Sequence, residues 1–231
     1  MLAALGFLTT LGPASRPSHR ALAWFPVVGA GLGGLVGLVW WGTGEVWPSL
    51  VAAAITVTAD LALTGFLHAD GLADAADGLL PPASRERRLA IMRDPHPGVF
   101  GLIAVVAALL LRWSALASIE PEPLLLVGLW AGSRAAMAAV PALLPYARDE
   151  GLASGFLDGR PTLLPLLGIA PAAALAVVAR GWIGGAAMAA LLVAFIGVAA
   201  LARRRLGGYT GDVLGAALLV GETVGLVVAA A

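Results

Sequence analysis

Long apolar runs constrain this chain more than any other feature. A helix needs about 20 predominantly apolar residues to cross the hydrocarbon core of a bilayer. Runs of that kind read at Phe25–Trp41, Pro48–Leu67, Val99–Ile119, Leu124–Leu144, Leu163–Val178, Trp182–Leu201 and Val213–Ala231. Lipid offers the backbone no hydrogen bonds, so each crossing must satisfy its own. The expected fold is therefore all-α: a polytopic bundle of about seven transmembrane helices, one domain over residues 1–231. Only 12% of the residues are charged, against about 25% in a soluble domain, so no separate soluble domain fits. With no cysteine, disulfides, thiol nucleophiles and thiolate metal sites are excluded. Met1–Leu11 is apolar but too short to span and lacks a basic leader, so it reads as an interfacial helix and not a signal peptide.

The cations orient the bundle. There is no lysine, and with the N-terminus inside, eleven of the fourteen arginines fall on one side: Arg16 and Arg20; Arg85, Arg87, Arg88 and Arg93; Arg148 and Arg160; Arg203, Arg204 and Arg205. The other side carries Glu45, Glu120, Glu122 and Arg180. Such asymmetry in short loops marks the cytoplasmic face. The cytoplasmic segments, about 68–98, 145–162 and 202–212, then hold nearly all of the polar chemistry.

The densest part follows the second run: His68-Ala69-Asp70-Gly71-Leu72-Ala73-Asp74-Ala75-Ala76-Asp77-Gly78. On a helix, Asp70, Asp74 and Asp77 fan over about 60° of one face. Three like charges on one stripe repel, and a divalent cation with bound phosphate is their natural counter-charge, since hard cations take carboxylate oxygens. Asp94 is a further candidate ligand. Arg93, Arg148 and the glycine-rich turn before Asp212 lie in neighbouring loops. Arginine binds phosphate bidentately, and glycine lets backbone amides approach anionic oxygens. Asp60, Arg134 and Glu222 fall inside spans, where charge is costly and marks function or pairing. Arg134 could pair with Glu222 or Asp60. Arg112 is close enough to the outer interface to snorkel and is discounted.

Together these residues resemble the cobalamin synthase family, the adenosylcobinamide-GDP ribazoletransferases. The resemblance rests on Thr64-Gly65, the His68–Gly78 stretch, Ile91-Met92-Arg93-Asp94, Ser133-Arg134, Tyr146-Ala147-Arg148, Glu150-Gly151-Leu152, and Gly207-Gly208-Tyr209-Thr210-Gly211-Asp212 through to Gly221-Glu222. Two places depart from the family pattern. Thr10 stands where an arginine is usual, and Pro95-His96 follow Asp94 where serine and a basic residue are usual.

The resemblance implies an inner-membrane enzyme that uses Mg2+. It joins adenosylcobinamide-GDP to alpha-ribazole or its 5′-phosphate and releases GMP. It also implies contact with lipid, no nucleic acid, and candidate association with itself or with other nucleotide-loop enzymes. On this basis Asp70, Asp74, Asp77 and Asp94 are expected to hold Mg2+, as one ion or two. Asp77 or another of these acids, or His68, is expected to take the hydroxyl proton. Arg93, Arg134 and Arg148 offset the developing charge, and Glu150, Gly208, Thr210, Asp212 and Glu222 contact substrate. Two other classes compete. A CDP-alcohol phosphotransferase shares Asp74-Ala75-Ala76-Asp77-Gly78, but this chain lacks that signature's Ala-Arg and downstream acids. A transporter would place its site near the midplane, with repeats and broken helices.

Overall fold

The computed structural model describes residues 1–13, 18–148, 151, 155–156 and 162–231. Among these, regular structure is helical: α1 (Leu2–Leu8), α2 (Phe25–Gly44), α3 (Ser49–Leu63), α4 (Leu67–Leu79), α5 (Arg85–Ile91), α6 (Val99–Ala117), α7 (Pro123–Leu143), α8 (Ile169–Leu206) and α9 (Gly211–Ala229), with short 3-10 turns at His19–Trp24 and Leu164–Gly168. One isolated parallel bridge joins Tyr146 to Tyr209.

Helices α7 and α9 form the centre. Both are rich in alanine and glycine and are buried along most of their length, because small residues let neighbouring backbones approach closely in lipid. Helices α2 and α8 pack on α7, and α8 and α4 pack on α9. The outward faces of α2, α6 and α8 expose Leu38, Ile103, Val178 and Ile196, as expected where the surrounding solvent is hydrocarbon.

By length and apolarity, five helices could cross a membrane, or six if the bent pair α3 and α4 is one span. The expected count was seven. The difference lies at α3, which ends at Leu63 and not at Leu67, and at α8, where the expected fifth and sixth runs form one element. Arg180 (φ −134°, ψ 17°) and Gly181 (φ 61°, ψ −142°) break the helical path of α8. Ala172 and Met188, on opposite sides of the break, both stand against Gly132, so the two arms of α8 run back along each other. The expected interfacial helix is α1, which buries Ala4 and Leu8 and is followed by Thr10 bonding to the carbonyl of Leu63 (2.8 Å).

The in-span charges form one buried network across four helices. Arg112 of α6 donates to Asp60 of α3 (2.6 Å) and to Glu222 of α9 (3.2 Å). Arg134 of α7 donates to Glu222, Ser133 donates to Glu222 (2.7 Å), and Trp130 donates to Asp60 (3.0 Å). Arg112 therefore does not snorkel: it is 2% exposed, with its guanidinium 5.1 Å from the centre of the Trp130 ring. Two cations and two anions cancel, which is how charge is tolerated at such depth.

Helix α4 positions the site. It leaves α3 at 86° because Gly65 (φ 58°) and Phe66 (φ 60°) are both left-handed. Glycine adopts that conformation freely, whereas phenylalanine is strained there. α4 thereby lies across the N-terminal ends of α6 and α9. At Gly71 a Cβ atom would sit 2.9 Å from the Asp212 carbonyl oxygen, so only glycine allows α4 this close to α9. The last carbonyls of α4 are capped by arginine. Arg88 donates to Gly78 (2.7 Å) and Leu79 (2.9 Å), and Arg205 donates to Leu79 and Leu80, which suits the negative end of a helix.

Candidate active site

Where α4 crosses the start of α9, a cleft of about 120 Å³ is lined by residues including His68, Asp70, Tyr146, Arg148, Asp212 and Phe7. Helix N-termini carry partial positive charge and free amides, so two of them converging here favour anionic groups. Thr210 caps α9 by accepting from the Val213 amide (3.3 Å). The strip from Pro145 to Arg148 is pinned beside it: Ala147 donates to the Tyr209 carbonyl (2.8 Å), and Tyr209 donates to that of Pro145 (3.0 Å). This brings Arg148 to Asp212 (2.7 Å) and to the Met92 carbonyl (3.1 Å). The Nε of Arg148 has no partner among the described residues.

The stripe of acids divides into separate environments. Asp70 is exposed and Asp74 half-buried. Asp74 is pushed up to about 7, first by burial, then by Asp212 and Asp70, with Arg148 opposing. A carboxyl in this state needs positive charge nearby to ionise fully. Asp77 is 8% exposed, and both of its oxygens are engaged: it accepts from the amides of Gly98 (2.6 Å) and Gly101 (2.9 Å). It thus caps α6 from another helix. Replacing it by asparagine turns an NH2 group toward one of those donors. Asp77→Asn should cost about 1.5–3 kcal/mol, the range for a hydrogen bond to a charged group, read as a lower midpoint of thermal unfolding in detergent.

His68 is 3% exposed, and neither ring nitrogen has a partner among the described residues. Burial, then Arg134 and Arg112, hold its pKa well below the ordinary value, so the ring is neutral at physiological pH and can accept a hydrogen bond.

The other expected site residues are distributed as follows. Asp94 is exposed and bonds within its own loop to the His96 amide (3.0 Å) and Nδ1 (2.9 Å), and these bonds hold its pKa low. Arg93 is exposed. Arg134 and Glu222 belong to the buried network, although Nε and Nη2 of Arg134 have no partner among the described residues. Gly208 and Thr210 are buried and serve the turn into α9. Glu150 lies outside the described residues, as do Arg16 and Arg160. Sequence reasoning missed Phe7, which no local pattern marks, and Tyr146, which the Tyr146-Ala147-Arg148 motif could have marked.

A hard cation fits part of this set. Among the described residues, no three histidine, aspartate or glutamate side chains stand together as a metal site. Mg2+, however, is commonly held by one or two carboxylates plus substrate phosphates and water. Asp70, Asp74 and Asp212 repel one another, so one or two of them could take that part, although Asp212 already pairs with Arg148 (2.7 Å) and accepts from Thr210 (3.3 Å). Asp77 and Asp94 are already hydrogen-bonded elsewhere.

Residues 1–230 match the family described as cobalamin-5-phosphate synthase. Three relatives each carry the name adenosylcobinamide-GDP ribazoletransferase. One from Escherichia coli is 41% identical over 239 residues, covering 96% of this chain and 95% of the relative. One from Leptothrix cholodnii is 40% identical over 215 residues, covering 86% and 80%. One from Chlorobaculum tepidum is 39% identical over 229 residues, covering 94% and 89%. No solved structure matches the chain.

Proposed function

The chain belongs to the cobalamin-5-phosphate synthase family, and we propose that it transfers the phospho-cobinamide group of adenosylcobinamide-GDP to alpha-ribazole or its 5′-phosphate. The products are adenosylcobalamin, or its 5′-phosphate, and GMP. The observation that carries this reading is the cleft at the crossing of α4 and α9. It gathers an arginine, two helix N-termini, a neutral histidine, Asp70 and Asp212, with Asp74 electrostatically coupled to both acids, at one end of an otherwise apolar bundle.

In the reaction, a ribose hydroxyl oxygen of the ribazole forms a bond to the cobinamide-linked phosphorus. The bond from that phosphorus to the bridging oxygen breaks, and GMP leaves with the bridging oxygen. Positioning and charge neutralisation do most of the work in such displacements. Arg148 lies where it can donate to the phosphate oxygens from its unpartnered Nε. His68, facing the cleft with both nitrogens free, is the group we assign to receive the hydroxyl proton. Asp77 positions α4 against α6 and is not assigned to metal. The cleft, about 120 Å³, suits the reacting phosphate better than the corrin ring. Asp70, Asp74 and Asp212 would hold Mg2+, whose chemistry here is to neutralise phosphate charge. The arginine asymmetry supports a bacterial inner-membrane location with this end toward the cytoplasm.

The test is purified protein in detergent with adenosylcobinamide-GDP and alpha-ribazole, read by product mass. The expected result is cobalamin and GMP in equal amounts, with EDTA suppressing both. Absence of GMP release with folded protein would reject the reading.

Asp74 also sets a pH dependence. Its carboxyl lies near 7 in the fold, against an ordinary value of 3.8. Between those values the folded chain holds a proton that the unfolded chain has released. Stability without metal therefore falls as pH rises from about 4 to about 7, then levels. A cation competes with the same proton, so Mn2+ affinity should rise about tenfold per pH unit below 7 and flatten above it. A titration that is flat across this range would remove Asp74 from the metal set.

A further inference from the structure

A second feature lies on the flank of the bundle. An apolar groove of about 520 Å³ opens between α7 and the two arms of α8, with walls that include Ala139, Val140, Ile169, Phe195 and Ala199. Its lining on the second arm of α8 runs from Leu192 to Arg203. That is about 16 Å at 1.5 Å per residue, or about half of the ~30 Å hydrocarbon core. The groove is thus one leaflet deep.

Its one polar lining residue among the described residues is Arg203, at the end nearest the candidate active site. Arg203 is exposed and has no hydrogen bond or ion pair among the described residues, whereas nearby Arg205 is bound to the end of α4. A slot walled by alanine, valine and phenylalanine suits a hydrocarbon chain, and a free guanidinium at its mouth suits a phosphate. We propose that this groove seats one acyl chain of an anionic phospholipid, with the headgroup phosphate at Arg203.

The experiment exposes the full-length protein to vesicles of equimolar phosphatidylcholine and phosphatidylglycerol, extracts it in detergent, and counts retained lipid by native mass spectrometry. The expected result is about one phosphatidylglycerol per wild-type chain. Ala200 lines the groove from an exposed position, so Ala200→Trp should fill it and abolish retention while keeping helix content. Arg203→Gln should keep lipid in the groove but lower the preference for phosphatidylglycerol about fivefold, the effect of one arginine near a lipid surface. Arg87→Gln, an exposed arginine on another loop, should change nothing. Equal retention of both lipids by wild type, undiminished retention by Ala200→Trp, or a lipid-free dimer that Ala200→Trp dissociates would each overturn the proposal. If Ala200→Trp does not fold, an unchanged preference in Arg203→Gln overturns it.

Discussion

Replacing Glu222 by alanine should cost the protein about 3–5 kcal/mol, the usual penalty for removing one partner of a buried ion pair. Glu222 receives Arg112, Arg134 and Ser133 at once and is 1% exposed. Among the described residues, its loss leaves Arg134 with no ion-pair partner and Arg112 with Asp60 alone. Against a typical stability of about 5–15 kcal/mol, that is a large fraction of what holds α6, α7 and α9 together. Glu222→Gln should cost less, because it keeps an oxygen for Ser133 and the arginines while losing charge. Circular dichroism during heating in detergent reads both. A melting temperature unchanged in Glu222→Ala, together with lost activity, would instead make Glu222 a substrate contact, as the sequence alone suggested.

Asp74→Asn and Arg148→Met should each lower the rate of GMP release by about 10²–10³-fold, the effect of removing one preorganised electrostatic group. Asp74→Asn should leave the melting temperature close to wild type, whereas Arg148→Met also loses the bonds to Asp212 and Met92 and should lower it. Asp74 is half-buried, coupled to Asp212, Asp70 and Arg148, and caps no helix among the described residues. Arg148 is the one cationic side chain lining the cleft among the described residues. Arg148→Lys should recover little, because a point charge does not reproduce the planar fork that reaches Asp212 and the Met92 carbonyl together. The order of effects separates the acids: Asp74→Asn loses rate, whereas Asp77→Asn loses stability first.

The helical class and the gathering of polar residues into a few short segments were legible in the sequence because both follow from composition and charge along the chain. Apolar runs mark spans, and Asp70, Asp74, Arg148 and Asp212 stand in short polar segments between them. What was hidden depends on the third dimension. The 86° turn at Gly65–Phe66 has no periodic signature, so the second run reads straight through to Leu67. Arg112 sits eighteen places before Trp130 in the sequence but beside Trp130, Asp60 and Glu222 in space, and its register along α6 alone suggested the interface. Asp77 shares its helical stripe with Asp74, yet the amides of Gly98 and Gly101 reach only Asp77. Identical side chains three residues apart thus acquire different roles.

The cleft between α4 and α9 is the proposed place of transfer. The most direct measurement is single-turnover GMP release from adenosylcobinamide-GDP with alpha-ribazole and Mg2+, by wild type and Asp74→Asn at matched helix content. The account predicts prompt release by the wild type and a rate lower by at least about 10²-fold in the variant. Equal rates in the two proteins would contradict it.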